Sequence, residues 1–322
     1  MDAGVNSLII PVYRNEGSLP DLLQALGALA ASVAELEVVF VVDGSPDRSY
    51  ALLHEALPSL PFRTQLILLS RNFGSFAAIR VGLDAAQGER FAVMAADLQE
   101  PPELAAEFFS RLQRDEADVL VGTRDARSDP LAGRIASASF WWLYRKLINA
   151  EIPPGGVDVF ACNRAFRDRL LALDETHSSL IGLLYWLGFR RANVSYARRT
   201  RTHGKSAWTL RRKFKYMMDS VFAFSDLPIR LLLIAGGLGL VTAVGLGALE
   251  LVLRLAGHAA AVPGYVATML TILFFGGLNT FGLGIIGAYV WRAFANTQRR
   301  PLAVVMCHDR SSGTVSASEQ TT

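Results

Sequence analysis

The side chains in this sequence best suited to chemistry would together hold a phosphorylated ligand. In FAVMAADLQEPPE, Phe91 to Glu103, an apolar run ends abruptly at Asp97 and Gln99. Two residues apart in an extended chain, these side chains project to the same side. A carboxylate and an amide oxygen so placed suit a hard divalent cation, Mg2+ or Mn2+, that bridges a diphosphate. Arg124, Arg134 and the later bases Arg201, His203 and Lys205 can neutralise further phosphate oxygens. Ala95 stands where a second carboxylate would have made the metal signal stronger. Taken singly, Tyr13, Asp43, Asp97 and Arg124 each have an ordinary reading as a turn or solvated residue.

The elements that position these residues follow from the hydrophobic pattern. SLIIPVY, LEVVFVVDGSPDRS, TQLILLSRNFG, RFAVMAADLQ and ADVLVGTRD each join a short apolar, β-branched run to a polar turn, which predicts strands. Between them, LPDLLQALGALAASV, a stretch from about Tyr50, Ser75 to Gln87, and PPELAAEFFSRLQRD carry helical spacing, the last with prolines at its first turn. Strands alternating with helices predict an α/β fold, a doubly wound and mostly parallel Rossmann-like sheet. Ligands of such sheets bind outside the carboxyl ends of the strands. Tyr13, Asp43, Asp97 and Arg124 all fall at those ends, and their convergence is the argument for a site.

The remainder of the chain points to a lipid bilayer. Of 322 residues 51% are hydrophobic, and the mean hydropathy is +0.29, high for a wholly soluble protein. The excess lies in Leu231 to Leu249, without a charge, and Leu255 to Trp291, without a charge apart from a titrating His258. Each is long enough to cross a hydrocarbon core of about 30 Å. Before them, RTHGKSAWTLRRKFKYMMDSVFAFSDLPIR reads as amphipathic helices on the membrane surface. Arg211, Arg212, Lys213, Lys215 and Arg230 precede the first span, and Arg292, Arg299 and Arg300 follow the second. The positive-inside rule then puts both flanks in the cytoplasm. The expected organisation is a catalytic domain over 1–200, juxtamembrane helices over 201–229, a two-helix hairpin over 230–292 and a cytoplasmic tail over 293–322. Its last stretch, SSGTVSASEQTT, is expected to be disordered. No signal peptide is expected, and Cys162 and Cys307 suggest neither a disulfide framework nor a zinc site. A net charge of +3 favours anionic lipid over nucleic acid. Span glycines such as Gly236, Gly239, Gly277 and Gly284 read as helix-packing positions, and homo-oligomerisation stays open.

On these residues the sequence resembles the inverting GT-A-fold glycosyltransferases that charge polyisoprenyl phosphates, the group of dolichol-phosphate mannose synthase and undecaprenyl-phosphate glucosyltransferases. IIPVYRNEGSLPDLL, VVDGSPDRS, LSRNFGSFAAIRVGLDAAQG, ADLQEPPEL, VGTRDAR, RTHGKSAW and GAYVWRAFANTQRRP match in order and spacing, over about Ser7 to Pro301. The resemblance implies a multi-pass enzyme of the inner membrane with a nucleotide-diphosphate sugar as donor and a polyisoprenyl phosphate as acceptor. It implies that Pro11, Tyr13 and Glu16 line the nucleotide pocket and that Asp43 contacts the nucleoside. Asp97 and Gln99 would hold Mg2+ or Mn2+ against the diphosphate. Arg124 and Arg134 would receive the lipid phosphate, Asp158 would be the active-site carboxylate, and Arg201, His203 and Lys205 would close over the phosphates. Two departures stand out: the group's Asp-x-Asp is Ala95-Ala96-Asp97 here, and its Asp-Asp-Gly-Ser is Val42-Asp43-Gly44-Ser45. The expected metal site is therefore weaker than usual. The competing readings are transfer to a lipid-linked saccharide and a silent membrane protein that binds nucleotide sugars. A processive synthase is disfavoured, since the chain lacks Gln-x-x-Arg-Trp and has too few spans.

Overall fold

The computed structural model describes residues 4–124, 141–142, 144–146, 149–153, 156–157, 159–175, 178–199, 210–256 and 264–313. The strands are β1 (Asn6–Val12), β2 (Leu36–Val42), β3 (Arg63–Leu69), β4 (Arg90–Val93), β5 (Val119–Arg124), β6 (Phe160–Asn163), β7 (Arg191–Tyr196) and β8 (Val305–Ser311). They form one sheet in the order β7-β5-β6-β4-β1-β2-β3-β8. β6 runs antiparallel to β4 and β5, and β8 antiparallel to β3; the other pairings are parallel. The expected doubly wound, mostly parallel sheet is the observed one.

Continuous apolar runs make strands buried on both faces. In β1 and β2, Leu8, Ile10, Val12, Val38, Phe40 and Val42 pack into one core, and Ile9, Val39 and Val41 into the other. The first core is closed by α1 (Leu19–Ser32), α2 (Ser49–Ala56) and α4 (Pro102–Gln113). The second is closed by α3 (Ser75–Ala85), α5 (Arg164–Leu171) and α6 (Leu180–Trp186). The chain leaves β1 toward β2 and β3 on one side, then crosses to β4 on the other. The topological switch point therefore falls between β1 and β4, where such sheets bind ligands.

α3 stops two residues short of the expected Gln87. After Ala86, whose N–H still bonds to the Gly82 carbonyl (3.0 Å), the backbone N–H groups have side-chain acceptors instead: Gln87 donates to Glu37 (2.9 Å) and Gly88 to the Ser7 hydroxyl (2.9 Å). Glu37 is buried and also accepts from Ser7 (2.5 Å) and from the Gln65 amide (2.7 Å). This polar network ties the amino ends of the strands together, opposite the edge where ligand binding is expected.

Beyond the sheet lie α7 (Leu210–Phe224), α8 (Leu227–Leu255) and α9 (Gly264–Thr297). Leu227–Leu249 and Thr271–Thr297 are long and apolar enough to cross a membrane, with mean hydropathies of 2.1 and 1.6. Their large side chains stand exposed, among them Leu233, Val241, Phe281 and Val290, a surface suited to lipid rather than water.

The C-terminal segment corrects an expectation. Residues after the hairpin form β8 on the open edge of β3, and Ser311, expected in a disordered tail, is the last residue of that strand. Tyr50 donates to Asp309 (2.8 Å), and the His308 ring meets the Gln65 amide oxygen (2.7 Å). Covering β3 removes an unpaired edge. It also fixes a topological relation: if both helices cross a bilayer, the chain returns to the side of the sheet that it left.

Candidate active site

The site is built from loops that follow the parallel strands. After β1, Arg14 adopts a left-handed φ of +55° and donates its N–H to the Ser45 hydroxyl (2.8 Å). Asn15 N–H reaches the Ser49 hydroxyl (3.3 Å), and Glu16 N–H reaches Asp47 (3.1 Å). In return the Glu16 carboxylate accepts the Arg48 N–H (3.0 Å) at the start of α2. The loops after β1 and β2 are thus laced together; Tyr13 and Glu16 belong to the first of them, and Pro11 to β1 itself, paired with Val41. Burial alone would raise the pKa of Asp47. Hydrogen bonds from the Ser45 and Ser49 hydroxyls and from the Glu16 and Ser49 N–H groups outweigh it and hold the carboxyl below its usual range.

Asp43, at the end of β2, is 2% exposed. Its two oxygens accept the N–H groups of Phe73 (2.7 Å) and Gly74 (2.8 Å), in the loop entering α3. Burial pushes its pKa up, and those bonds and the nearby Arg71 offset only part of the rise. Gly44 beside it has φ +55°, and a Cβ there would lie 2.3 Å from the Arg71 carbonyl carbon. Only glycine lets the loops after β2 and β3 meet so closely. In this structure Asp43 clamps two loops; contact with a nucleoside is a role its position leaves to proposal.

After β4 the chain turns sharply. Met94 N–H still pairs with Ile9 (3.1 Å), and the Ala96 carbonyl accepts from Ser18 (2.9 Å). Leu98 takes φ +54°, so Gln99 folds back and donates its N–H to the Asp97 carboxylate (3.3 Å). The far end of β7 arrives at the same place. The Gln99 carbonyl accepts the Arg199 N–H (2.9 Å), and the Gln99 amide oxygen accepts from the Arg198 guanidinium. The Arg198 Nε is buried without a hydrogen-bond partner. Arg124 closes β5 in register with Tyr196 of β7. Tyr13, Asp43, Asp97 and Arg124 therefore share one edge of the sheet, as their spacing predicts. Arg134, Asp158, Arg201, His203 and Lys205 lie outside the described residues.

The family model described as glycosyl transferase family 2 matches residues 7–173. The chain belongs to that family.

The stretch matched by the model runs from β1 through α5 and includes the laced loops, Asp43 and the Asp97 turn. Similar proteins extend the match through the hairpin. The undecaprenyl-phosphate 4-deoxy-4-formamido-L-arabinose transferase of Pseudomonas paraeruginosa is 34% identical, over 92% of this chain and 87% of its own length. The prophage bactoprenol glucosyl transferase homolog of Escherichia coli is 27% identical, over 93% and 97%. A solved structure of glucosyl-3-phosphoglycerate synthase from Mycobacterium tuberculosis, with Mn2+, UDP-glucose and phosphoglyceric acid, is 14% identical with a TM-score of 0.49, over 68% of this chain and 78% of that one.

In this family 2 glycosyltransferase, hard oxygen donors suit a divalent cation, but sparsely. Among the described residues, no three His, Cys, Asp or Glu side chains lie close enough to hold a metal ion. One carboxylate with substrate phosphate oxygens is sufficient for Mg2+, so Asp97 fits. The Gln99 amide oxygen already accepts from the Arg198 guanidinium, whose positive charge opposes a cation at the same atom.

Sequence reasoning missed three contributors near the site. Arg198 and Arg199 stand in the sequence just before the basic run RTHGK that starts at Arg201, so the doubled arginine was the available signal. Glu100, buried with its carboxylate 3.4 Å from the Ala95 N–H, gave none.

Between catalytic domain and hairpin, Tyr144, Ser179, Tyr216 and Ser220 form a buried hydroxyl cluster, with Ser179 and Tyr216 2.6 Å apart. Arg292 of α9 pairs with Asp219 of α7 (2.7 Å) over the Phe222 ring. A cleft of about 470 Å³ lined by Trp186, Phe222, Asp226 and Tyr289 lies here and contains none of the expected site residues.

Proposed function

We propose that this glycosyltransferase moves a sugar, with inversion, from a nucleotide-diphosphate sugar to a polyisoprenyl phosphate of the undecaprenyl type at the cytoplasmic face of the inner membrane. The observation that carries the reading is Asp97 at the mouth of β4, at the switch point of a sheet that shares its chain with two apolar helices. The name of the Pseudomonas relative, which is matched nearly end to end, supports the acceptor class. The two named relatives carry different sugars, so the reading specifies none.

In this reading Pro11, Tyr13, Glu16 and Asp43 surround the nucleotide, and Arg201, His203 and Lys205 close over its phosphates. Asp97, with Gln99 once Arg198 withdraws, would hold Mg2+ or Mn2+. The ion would neutralise charge developing on the leaving diphosphate. Arg124 and Arg134 receive the acceptor phosphate and Asp158 orients them. A phosphate monoester has a second pKa of about 6 and is largely dianionic at neutral pH, so it attacks without a general base. The arginines flanking the hairpin and the return of β8 to the sheet favour a cytoplasmic catalytic domain.

The test incubates membranes holding the full chain with undecaprenyl phosphate and a panel of radiolabelled nucleotide sugars. One donor should label the lipid phosphate, and excess chelator should abolish labelling. Label appearing only on a lipid-linked saccharide would refute the acceptor assignment.

A further inference from the structure

The guanidinium of Arg198 rests at the turn after β4 in a position that leaves one of its donors unused. It donates from Nη2 to the Gln99 amide oxygen, while its Nε is buried without a hydrogen-bond partner. A buried donor left unsatisfied is destabilising. The backbone beside it is pinned: the Arg199 N–H bonds to the Gln99 carbonyl (2.9 Å), and the Arg199 guanidinium lies 3.4 Å from Glu103 of α4. The Arg198 side chain is partly exposed, so it can leave Gln99 while the end of β7 stays in place.

What could draw it away is set by its surroundings. Gln99 also donates its N–H to Asp97 (3.3 Å), the carboxylate to which the donor cation is assigned above. A phosphate oxygen is a stronger partner for a guanidinium than a neutral amide is, and the planar fork can offer it Nε and Nη2 together. Such a partner would satisfy the nitrogen that is now without one. We propose that Arg198 exchanges partners: it holds Gln99 while the donor is absent and moves onto the donor diphosphate when that arrives, which frees the Gln99 oxygen for the cation. This rests on the donor and cation use proposed above. Nucleotide and cation then favour each other's binding, and the coupling is reciprocal.

The test uses the full chain in detergent and two probes, each alone. Mn2+ is read by electron paramagnetic resonance of the free ion, and inorganic pyrophosphate, in excess chelator, by calorimetry. Arg198→Met should bind Mn2+ about tenfold more tightly, because no guanidinium competes for Gln99, and pyrophosphate about tenfold or more weakly, the scale of a lost hydrogen bond to a charged group. A merely structural arginine would weaken both. A second arm does not depend on how the loss of Arg198 is tolerated. In Gln99→Met the arginine has lost its resting partner, so pyrophosphate should bind more tightly than to the wild type, and the gain should vanish once Arg198→Met is added. Three results each overturn the exchange: either affinity unchanged or moved the other way in Arg198→Met, no gain for pyrophosphate in Gln99→Met, or no metal-free binding of pyrophosphate by the wild type. Binding of the nucleotide-sugar panel in Mn2+ then separates the two proposals. If the wild type binds one of the panel, the donor and cation reading stands without the exchange; if it binds none, both fall.

Discussion

Replacing Asp43 separates its clamping role from a role in nucleotide binding. Its carboxylate accepts two backbone N–H bonds, 2.7 and 2.8 Å long, while only 2% exposed. Asp43→Ala leaves both donors buried without an acceptor, each at a cost of about 1–3 kcal/mol. The carboxylate itself pays desolvation, which is why its pKa is raised, and its removal returns part of that cost. A net destabilisation of about 2–4 kcal/mol follows. Asp43→Asn keeps one acceptor, sheds the charge and should lose about 1–2 kcal/mol. At about 2–4 °C per kcal/mol for a domain of this size, alanine should melt several degrees below asparagine, and asparagine below wild type. The assay is thermal unfolding of the full chain in detergent, alongside donor KM. Unchanged melting in Asp43→Ala with a raised donor KM would refute the clamp and leave Asp43 a simple nucleoside contact.

Asp47 should give an acid limb to stability. Because its folded pKa is depressed, its contribution is present above the ordinary carboxylate value of about 3.9 and is lost as pH falls through the lowered one; Asp47→Asn should flatten that limb in melting temperature against pH. Reporter fusions at Met1 and at Thr322 should both report cytoplasm, and a periplasmic result at either end would refute the hairpin. Arg134→Ala should cut kcat/KM for the lipid on the order of 10²-fold, roughly 3 kcal/mol of transition-state stabilisation. Asp158→Asn should keep the basic limb of its rate profile between about pH 5.5 and 8.5, around the phosphate pKa. A dead Asp158→Asn beside an Arg134→Ala of normal lipid affinity would favour a hydroxyl acceptor.

What was legible in the sequence was local. β1 to β5 announced themselves because apolar runs buried on both faces end in turn residues within a few positions, and Asp43 and Asp97 were found for the same reason. β8 was hidden because its inward-facing residues are Cys307, Asp309 and Ser311, which satisfy hydrogen bonds instead of filling a core. Such a strand carries no apolar alternation. The engagement of Gln99 by Arg198 spans 99 positions of sequence and depends on where β7 lands beside β5, which no local pattern encodes. The position of Glu100 depends on the left-handed turn at Leu98, and leucine is not a residue from which that conformation is expected.

The hairpin is joined to the sheet at both of its ends, and on the proposed function this bears on how a lipid-borne acceptor would meet a soluble donor. On the way in, α7 docks through the hydroxyl cluster around Tyr216 and through Phe224, whose ring lies 2.2 Å from where a Cβ on Gly182 would stand. A Cβ at 182 therefore requires the Phe224 ring to move out of its seat on the domain. On the way out, Arg292 holds α9 to α7, and β8 then pairs with β3. α9 runs about 50 Å at 1.5 Å per residue, longer than a hydrocarbon core of about 30 Å. If it crosses a bilayer, its Arg292 end can thus stand clear of lipid. A catalytic domain held only at one end would be free to swing relative to the membrane plane. Held at two, and on the proposed function, its carboxyl edge would keep a set relation to the bilayer, and an acceptor phosphate at the surface would meet Asp97 and Arg124 in a restricted range of orientations. That restriction reduces the entropy lost in bringing donor and acceptor together. On that reading, the pairing of the polar strand β8 with β3 serves to hold the sheet against the membrane.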